Sequence, residues 1–504
     1  MNRPRRIVIL GGGTAGWMAA CLFNHYWGPL GTNVTLIESS DIGIIGVGEG
    51  STPQLKAFFD TLGITEAEWM PRCNATYKVG IAFEGWSDRP GYERYFHPFP
   101  TDLDRHTSPD FFFNAYVRRN GHDVVAHPDR FHVPAVLARE VLAPFAGPNF
   151  PFEASYGYHF DAQLVGAYLR EVALARGVAH ADAQIAVVDM VNDRKVCALI
   201  ADDSRRFEAD LFVDASGFRA LIIEGALGEP HCSFAENLFN DRAVVAPTPL
   251  DAEGPGVCTR ATALSAGWAW QIPLTNRVGN GYVYSSHYID EQAASDELRA
   301  HLDLTPDAEV RHLKMRVGRV ERSWVYNVLA IGLAQGFVEP LEATALHIVL
   351  TTVERFIQTI DGDGDTPAAR DAFNAAIARR YEGIRDYLVC HYRAARRSDT
   401  PYWRDATGHD ELSDSLKAIF TAWFTGVNLE EELARQGIED IYPAMSWHCL
   451  LAGYGNFPDR MVPATGVAAR VDMARIDRFV EGCASNFPKH REVLAKFGGD
   501  ASKC

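Results

Sequence analysis

Apolar positions along the chain change period several times, and each change predicts an element. Ile7-Val8-Ile9-Leu10 is a continuous apolar run of strand length, ended by Gly11-Gly12-Gly13. Trp17 to about Trp27 reads as a helix, Gly31-Thr32-Asn33 as a turn, and Val34 to Ile37 as a second strand closed by Glu38. Strand, glycine turn, helix and strand in that order form a β-α-β unit. Residues 39–100 are rich in glycine and aromatics and have no clean period. The α/β pattern returns over 160–215, with a helix near Ala162–Ala175 and strands near Ile185–Val191 and Val196–Ile200. Leu211-Phe212-Val213-Asp214 follows as a buried strand. Residues 257–290 read as antiparallel strands, and the chain beyond 340 as mainly helical. There Leu346, Val349, Leu350, Val353, Phe356, Ile357 and Ile360 share one helical face.

Composition narrows the function classes. The chain has 504 residues, 47% of them apolar and 22% charged, which suits a compact globular protein. Its formal charge of −17 comes with no basic stripe, so general nucleic-acid binding is not expected. Cysteines at 21, 73, 197, 232, 258, 390, 449, 483 and 504 form no Cys-x-x-Cys pair, so neither a zinc ribbon nor a thioredoxin-type site is expected. They read as reduced, mostly buried thiols of a cytoplasmic protein. Gly11 interrupts the only apolar run near Arg3, Arg5 and Arg6, so no signal peptide is read, and no run is long enough to span a bilayer. Asp361-Gly362-Asp363-Gly364-Asp365 imitates a calcium loop but has Thr366 where glycine is needed and Ala372 where glutamate is needed. It reads as an inter-helix loop, and no metal site is expected. Oligomeric state is open, a homodimer included.

The first chemical motif is Gly11-x-Gly13-x-x-Gly16, with Thr14 and Ala15 in its turn. Glycines let backbone approach a pyrophosphate, and the following helix offers N–H donors and positive potential. A glycine turn can be only a turn. Its place between two strands, with Glu38 set to hold a ribose hydroxyl, favours a dinucleotide. Asp214-Ala215-Ser216-Gly217 ends a late strand as Asp-x-x-Gly, which resembles FAD-dependent monooxygenases more than NAD dehydrogenases; a strand followed by a plain turn is the simpler alternative. In Trp268-Ala269-Trp270-Gln271-Ile272-Pro273 the two tryptophans face one side of a strand, for which core packing is the plain reading.

Trp-x-Trp-x-Ile-Pro is also the signature of flavin-dependent halogenases, and the chain resembles that tryptophan/indole halogenase family over roughly residues 5–460. Gly46-Val47-Gly48-Glu49-Gly50-Ser51-Thr52-Pro53 is similar to its second flavin-contacting loop. Phe96-His97-Pro98-Phe99, Tyr158-His159-Phe160-Asp161-Ala162, Gly281-Tyr282-Val283-Tyr284-Ser285-Ser286 and Gly336-Phe337-Val338-Glu339-Pro340-Leu341-Glu342 also fit. Any one of these would be weak; the combination is specific. The resemblance implies an α/β fold: an FAD-binding Rossmann-like domain of the glutathione-reductase monooxygenase type, packed with a mainly helical substrate-binding part. The expected division is 1–100 (first FAD-binding part, with the lysine), 101–160 (substrate-region insertion), 161–345 (remainder of the FAD body) and 346–504 (helical substrate-binding part).

Residue by residue, the resemblance implies roles. Gly11, Gly13, Thr14, Ala15, Gly16, Glu38, Gly48, Glu49, Asp214, Gly217 and Leu341 would hold FAD. Lys78, in Tyr77-Lys78-Val79-Gly80, matches the essential lysine, which acts on hypohalous acid by hydrogen bonding or as a haloamine. Outside that pattern a lone lysine is usually a surface charge. Glu342 matches the glutamate that assists proton loss from the ring, or polarises the halogen species; a first-turn acid favoured by a helix dipole is the simpler alternative. Backbone N–H groups of Thr344 and Ala345 would bind halide, bromide or chloride. The family often has Ser-Thr-Gly here, where this chain has Ala343-Thr344-Ala345. His97 and Phe99 match residues that sandwich an indole, and are otherwise core residues. Trp268 and Trp270 would keep organic substrate from the flavin. A separate flavin reductase would supply reduced FAD, since no second dinucleotide fingerprint occurs.

One segment departs from the family. The aromatic and acidic clamp for free tryptophan has no match between Glu432 and Pro443, just before Trp447-His448-Cys449-Leu450-Leu451-Ala452-Gly453. Indole, a substituted indole or a larger aromatic is therefore expected over free tryptophan. Two other classes stay open: a flavin-dependent aromatic hydroxylase, disfavoured by Trp268 and Trp270, and a non-catalytic flavin-binding protein, disfavoured by Lys78 and Glu342.

Overall fold

The computed structural model describes residues 3–40, 48–192 and 194–498. The chain forms two compact units, each assembled from three separated segments. The first comprises Met1–Asn74, Phe160–Ala235 and Arg316–Glu382; the second comprises Ala75–His159, Glu236–Met315 and Gly383–Cys504.

In the first unit a six-stranded sheet runs in the order Trp324–Val325, Val328–Ala330, Leu211–Asp214, Arg6–Leu10, Asn33–Glu38, Ala179–Asp182. All neighbours are parallel except the first pair. Ile7, Val8 and Ile9 are buried on both faces, which is why that strand is a continuous apolar run. The predicted β-α-β unit is present, its helix spanning Thr14–Trp27. That helix packs against Ala162–Ala175 and Ala345–Gly362. Asp161 caps the former, accepting hydrogen bonds from Gln163 N (3.0 Å) and Leu164 N (3.3 Å). The predicted stripe from Leu346 to Ile360 is the buried face of the latter. The helix continues through Gly362, so the aspartate-rich stretch begins as helix and not as loop. Asp361 is anchored there: it accepts from Arg3 Nη2 at 2.7 Å and from Trp27 Nε1 at 3.1 Å. The strands expected near 185–200 are Ile185–Val191 and Lys195–Ala201, a hairpin extended by Arg206–Glu208.

The second unit is built on a seven-stranded sheet in the order Arg311–Lys314, Arg242–Thr248, Val278–Tyr284, Gly267–Pro273, Thr259–Leu264, Gly80–Glu84, Arg94–Pro98. The expected antiparallel strands of 257–290 lie at its centre. Residues alternate between its faces. Val244, Ala246, Ala269, Tyr282 and Tyr284 form one core with Ala294 and Leu298 of the helix Glu291–His301. The register puts Trp268, Trp270 and Ile272 on the other face, with Thr259, Ala261, Ala263, Ile81, Phe83, Tyr95 and His97. A further strand, Thr76–Lys78, pairs antiparallel with the start of Gly157–Asp161.

The eight described cysteines are free thiols; Cys21, Cys73, Cys390, Cys449 and Cys483 are buried, and Cys504 lies outside the described residues. Among the described residues no helix is long and apolar enough to cross a membrane.

Candidate functional site

The first unit carries the glycine turn at the carboxyl ends of its parallel strands. Gly11 has φ +120°, and a Cβ there would lie 2.1 Å from Ala215 O. A Cβ on Gly16 would lie 1.9 Å from Gly11 O. These two glycines are therefore demanded by close approach inside the turn. Gly13 differs: a Cβ there meets nothing within 4 Å, so its Cα faces open space at the helix N-terminus. The first N–H groups of that helix, on Thr14, Ala15 and Gly16, have no intrahelical acceptor. The Thr14 hydroxyl donates to Ala162 O at 3.1 Å. Glu38 closes the second strand; its carboxylate lies over Gly12 and meets His180 Nε2 at 3.0 Å. Gly217, at φ +72°, also faces open space. An open cradle of backbone donors with a carboxylate on the neighbouring strand fits the pyrophosphate and ribose of FAD.

Two acids expected at this cradle have specific surroundings. Asp214 is fully buried, and its carboxylate accepts from Ser216 N (3.1 Å), Ser216 Oγ (2.6 Å), Ile222 N (2.8 Å) and Ile223 N (2.8 Å). All four donors belong to the loop that follows, so the side chain shapes that loop. Glu49 lies in the short strand Gly48–Gly50; burial and the Asp161 carboxylate push its carboxyl up to about 7. Gly46 and Val47 of that motif lie outside the described residues.

Leu341 and Glu342 are buried in the turn Pro340–Glu342. Ala343 stops the turn with φ +55°, and Thr344 caps the 18-residue helix Ala345–Gly362. Thr344 is buried, Ala345 exposed. The Thr344 hydroxyl is buried and has no hydrogen-bond partner among the described residues. A buried donor beside a helix N-terminus, whose first N–H groups have no intrahelical acceptor, suits a small anion.

The second unit holds the lysine and the aromatic residues. Lys78 is fully buried at the end of Thr76–Lys78, opposite Gly157, with its Nζ 5.4 Å from the centre of the half-buried Phe99 ring. Two imidazoles fix this strand. His159 Nδ1 meets Thr76 Oγ1 at 3.2 Å and its Nε2 meets Thr259 Oγ1 at 3.0 Å. Tyr77 N donates to His490 Nε2 at 3.3 Å, while His490 Nδ1 donates to Pro255 O at 2.9 Å. Burial, then the Lys78 ammonium and His490, hold His159 well below its ordinary value, and burial pushes His490 down to about 4. Both rings are neutral at physiological pH, so neither histidine adds a charge beside Lys78.

His97 is buried on the same sheet face as Trp268 and Trp270. Its Nε2 lies 3.5 Å from the Tyr387 hydroxyl, which donates to Ser446 O at 3.0 Å. Tyr387 stacks on Tyr442 at 3.7 Å between centroids and meets Trp447 edge-on at 4.8 Å. Trp268 and Trp270 stand 6.1 Å apart. Sequence reasoning missed Tyr387, Tyr442, His159 and His490; of these only the Tyr158-His159-Phe160 match signalled anything. The candidate residues thus fall in two sets, the glycine turn with Glu342 and Thr344 in the first unit, and Lys78, His97, Phe99, Trp268 and Trp270 in the second.

A parallel sheet with a glycine-turn cradle at the carboxyl ends of its strands fits the class of dinucleotide-binding α/β proteins. Comparison narrows that class. The tryptophan halogenase family model matches residues 6–470. The chain is 35% identical to 7-chloro-L-tryptophan 6-halogenase KtzR of Kutzneria sp. (strain 744), covering 98% of this chain and 99% of that one. The crystal structure of tryptophan 6-halogenase SttH from Streptomyces toxytricini superposes with a TM-score of 0.83 at 31% identity, over 98% of this chain and 99% of that one. Xcc4156, a flavin-dependent halogenase from Xanthomonas campestris, does so with a TM-score of 0.83 at 34% identity, over 98% of both chains. The chain belongs to the tryptophan halogenase family of flavin-dependent halogenases.

Proposed function

We propose that the protein halogenates an electron-rich aromatic, indole or an indole derivative, with Lys78 directing hypohalous acid. The observation that carries this reading is the fully buried Lys78 held over Phe99 on a strand pinned by two neutral histidines. Reduced FAD with O2, when bound, supplies the two-electron oxidation that turns bromide or chloride into hypohalous acid. A separate flavin reductase provides the reduced cofactor. Gly11, Gly13, Thr14, Ala15 and Gly16 would hold the pyrophosphate through backbone, Glu38 the ribose, and Gly48, Glu49, Asp214, Gly217 and Leu341 the remaining contacts. Asp214 acts there through the loop it organises.

Thr344 and Ala345 bind the halide, the Thr344 hydroxyl adding a third donor. Lys78 receives hypohalous acid and raises the electrophilicity of the halogen, by donating a hydrogen bond or by forming a haloamine. Burial strengthens either interaction, because water does not compete for the ammonium. His97 and Phe99 hold the flat ring, and Glu342 accepts the proton that the ring loses as its carbon–halogen bond forms. Trp268 and Trp270 keep the organic substrate from the flavin. The interval Glu432–Pro443 supports indoles over free tryptophan, because it offers Tyr442 to Tyr387 and no match to the family clamp.

The test is mass spectrometry of indole incubated with the protein, FAD, a flavin reductase, NADH, air and either halide. A halogen isotope pattern is expected with wild type and absent from Lys78→Ala at equal FAD loading. An oxygenated product without halogen would replace this reading with that of an aromatic hydroxylase.

A further inference from the structure

Gly281 lies opposite Trp270 in the antiparallel pair Val278–Tyr284/Gly267–Pro273. A Cβ on Gly281 would fall 2.2 Å from Trp270 Cζ2, 2.3 Å from Cη2 and 2.7 Å from Cε2. All three atoms belong to the benzo ring, so that ring lies flat on the Gly281 Cα. The backbone gives no other reason for glycine: unlike Gly11 or Gly267, Gly281 does not have a positive φ. No hydrogen bond holds the indole either, since the buried Trp270 Nε1 has no partner among the described residues. Its orientation therefore rests on packing, with Gly281 beneath and Trp268 beside it at 6.1 Å. Alanine has no room there, so the ring must turn about its side-chain torsions to accept one.

We propose that Gly281 is a positioning residue: it seats Trp270, and that seating decides whether turnover ends in halogenation or in oxygenation and peroxide. The inference rests on the halogenase reading above. Productive turnover consumes reduced FAD, O2, halide and a proton and yields FAD, hypohalous acid and water. Hypohalous acid and the arene then yield haloarene and water. If the arene reaches the flavin side, reduced FAD, O2 and arene yield FAD, hydroxyarene and water. If neither nucleophile is in place, reduced FAD and O2 yield FAD and hydrogen peroxide. The ratio of hydroxyarene plus peroxide to haloarene measures the partition.

The experiment compares wild type, Gly281→Ala, Trp270→Phe and Gly281→Ala/Trp270→Phe. Apo protein labelled with 5-fluorotryptophan is examined by fluorine NMR, the Trp270 resonance being assigned by its loss in Trp270→Phe. Gly281→Ala should move that resonance and leave those of tryptophans remote from it in place. It should also raise the partition ratio by about tenfold or more, as expected when a positioned group is displaced by an ångström. In the double variant, with a smaller ring, the ratio should return to that of Trp270→Phe alone. A Trp270 resonance unmoved in Gly281→Ala, or a moved resonance with the wild-type ratio, overturns the proposal. Should Gly281→Ala not fold alone, folding of the double variant supports it and failure of both overturns it. No haloarene from wild type would overturn the halogenase reading, and the partition claim with it, while the NMR result would still decide the seating of the ring.

Discussion

Asp214→Ala separates two roles that the same aspartate could serve at the cofactor cradle. The side chain is fully buried and accepts four hydrogen bonds from the loop 216–223. Alanine strands the N–H groups of Ser216, Ile222 and Ile223 away from water. Each such donor costs about 1–3 kcal/mol. Relief from burying a carboxylate offsets part of the sum, leaving a loss of about 3 kcal/mol. Asp214→Asn keeps one acceptor oxygen but turns an NH2 toward other N–H donors, so it should fall between wild type and alanine. The assay is urea unfolding of apo protein by tryptophan fluorescence, with FAD affinity measured on the same preparations. Both stability and affinity should fall together. A loss under about 1 kcal/mol with a large drop in FAD affinity would refute the reasoning, since the carboxylate would then contact cofactor directly and not shape its loop.

Glu49→Gln tests the pH dependence at the neighbouring motif. Because the folded chain raises this carboxyl from 4.5 to about 7, folding favours its protonated form. That stability is fully present below pH 4.5 and is lost as pH rises through about 7. The full shift corresponds to about 3 kcal/mol, reduced to about 2 by partial exposure. Wild-type apo protein should therefore gain less stability than Glu49→Gln, or lose more, between pH 5 and pH 8 in urea titrations; identical profiles would sink the assignment. Thr344→Val removes the buried hydroxyl with little change in volume, and should raise the halide KM about tenfold, the worth of one hydrogen bond to an ion, with kcat at saturating halide nearly unchanged. An unaltered halide KM in steady-state kinetics would place the anion elsewhere.

The glycine turn was legible in the sequence because steric demand leaves a residue signature: Gly11 and Gly16 have no alternative where Ala215 O and Gly11 O crowd their Cα atoms. The stripe from Leu346 to Ile360 was legible because one side of its helix is buried. Residues 39–100 resisted because their strands do not alternate: Thr76–Lys78, Gly80–Glu84 and Arg94–Pro98 are buried on almost every residue. Lys78 was singled out only by its family pattern, and its burial had no local signal, since nothing in the neighbouring sequence distinguishes a buried lysine from a surface one. His159 and His490, 331 positions apart, meet at one strand through backbone and hydroxyl partners that no spacing announces. Tyr387 reaches His97 across 290 positions and had no local signal. Asp214 was visible as the end of a strand, but the direction of its hydrogen bonds was not.

The position of Gly281 belongs to a wider habit of the second unit, in which rings are laid on glycines. A Cβ on Gly453 would meet Tyr95 Cγ at 2.3 Å, and one on Gly455, where φ is also +74°, would meet Tyr92 Cγ at 2.7 Å. Tyr95 lies on the strand Arg94–Pro98, on the same face as His97. A ring flat on a Cα gains dispersion contact over its whole face, and it is held by shape without spending a polar group. A wall made this way is stiff, since each ring has two torsions and a floor that fits one setting of them. The aromatic face that bears His97, Trp268 and Trp270 can thus stay rigid and apolar at once. That combination suits the proposed role of this face, in which a flat ring is aimed at Lys78 while few donors compete for the reagent.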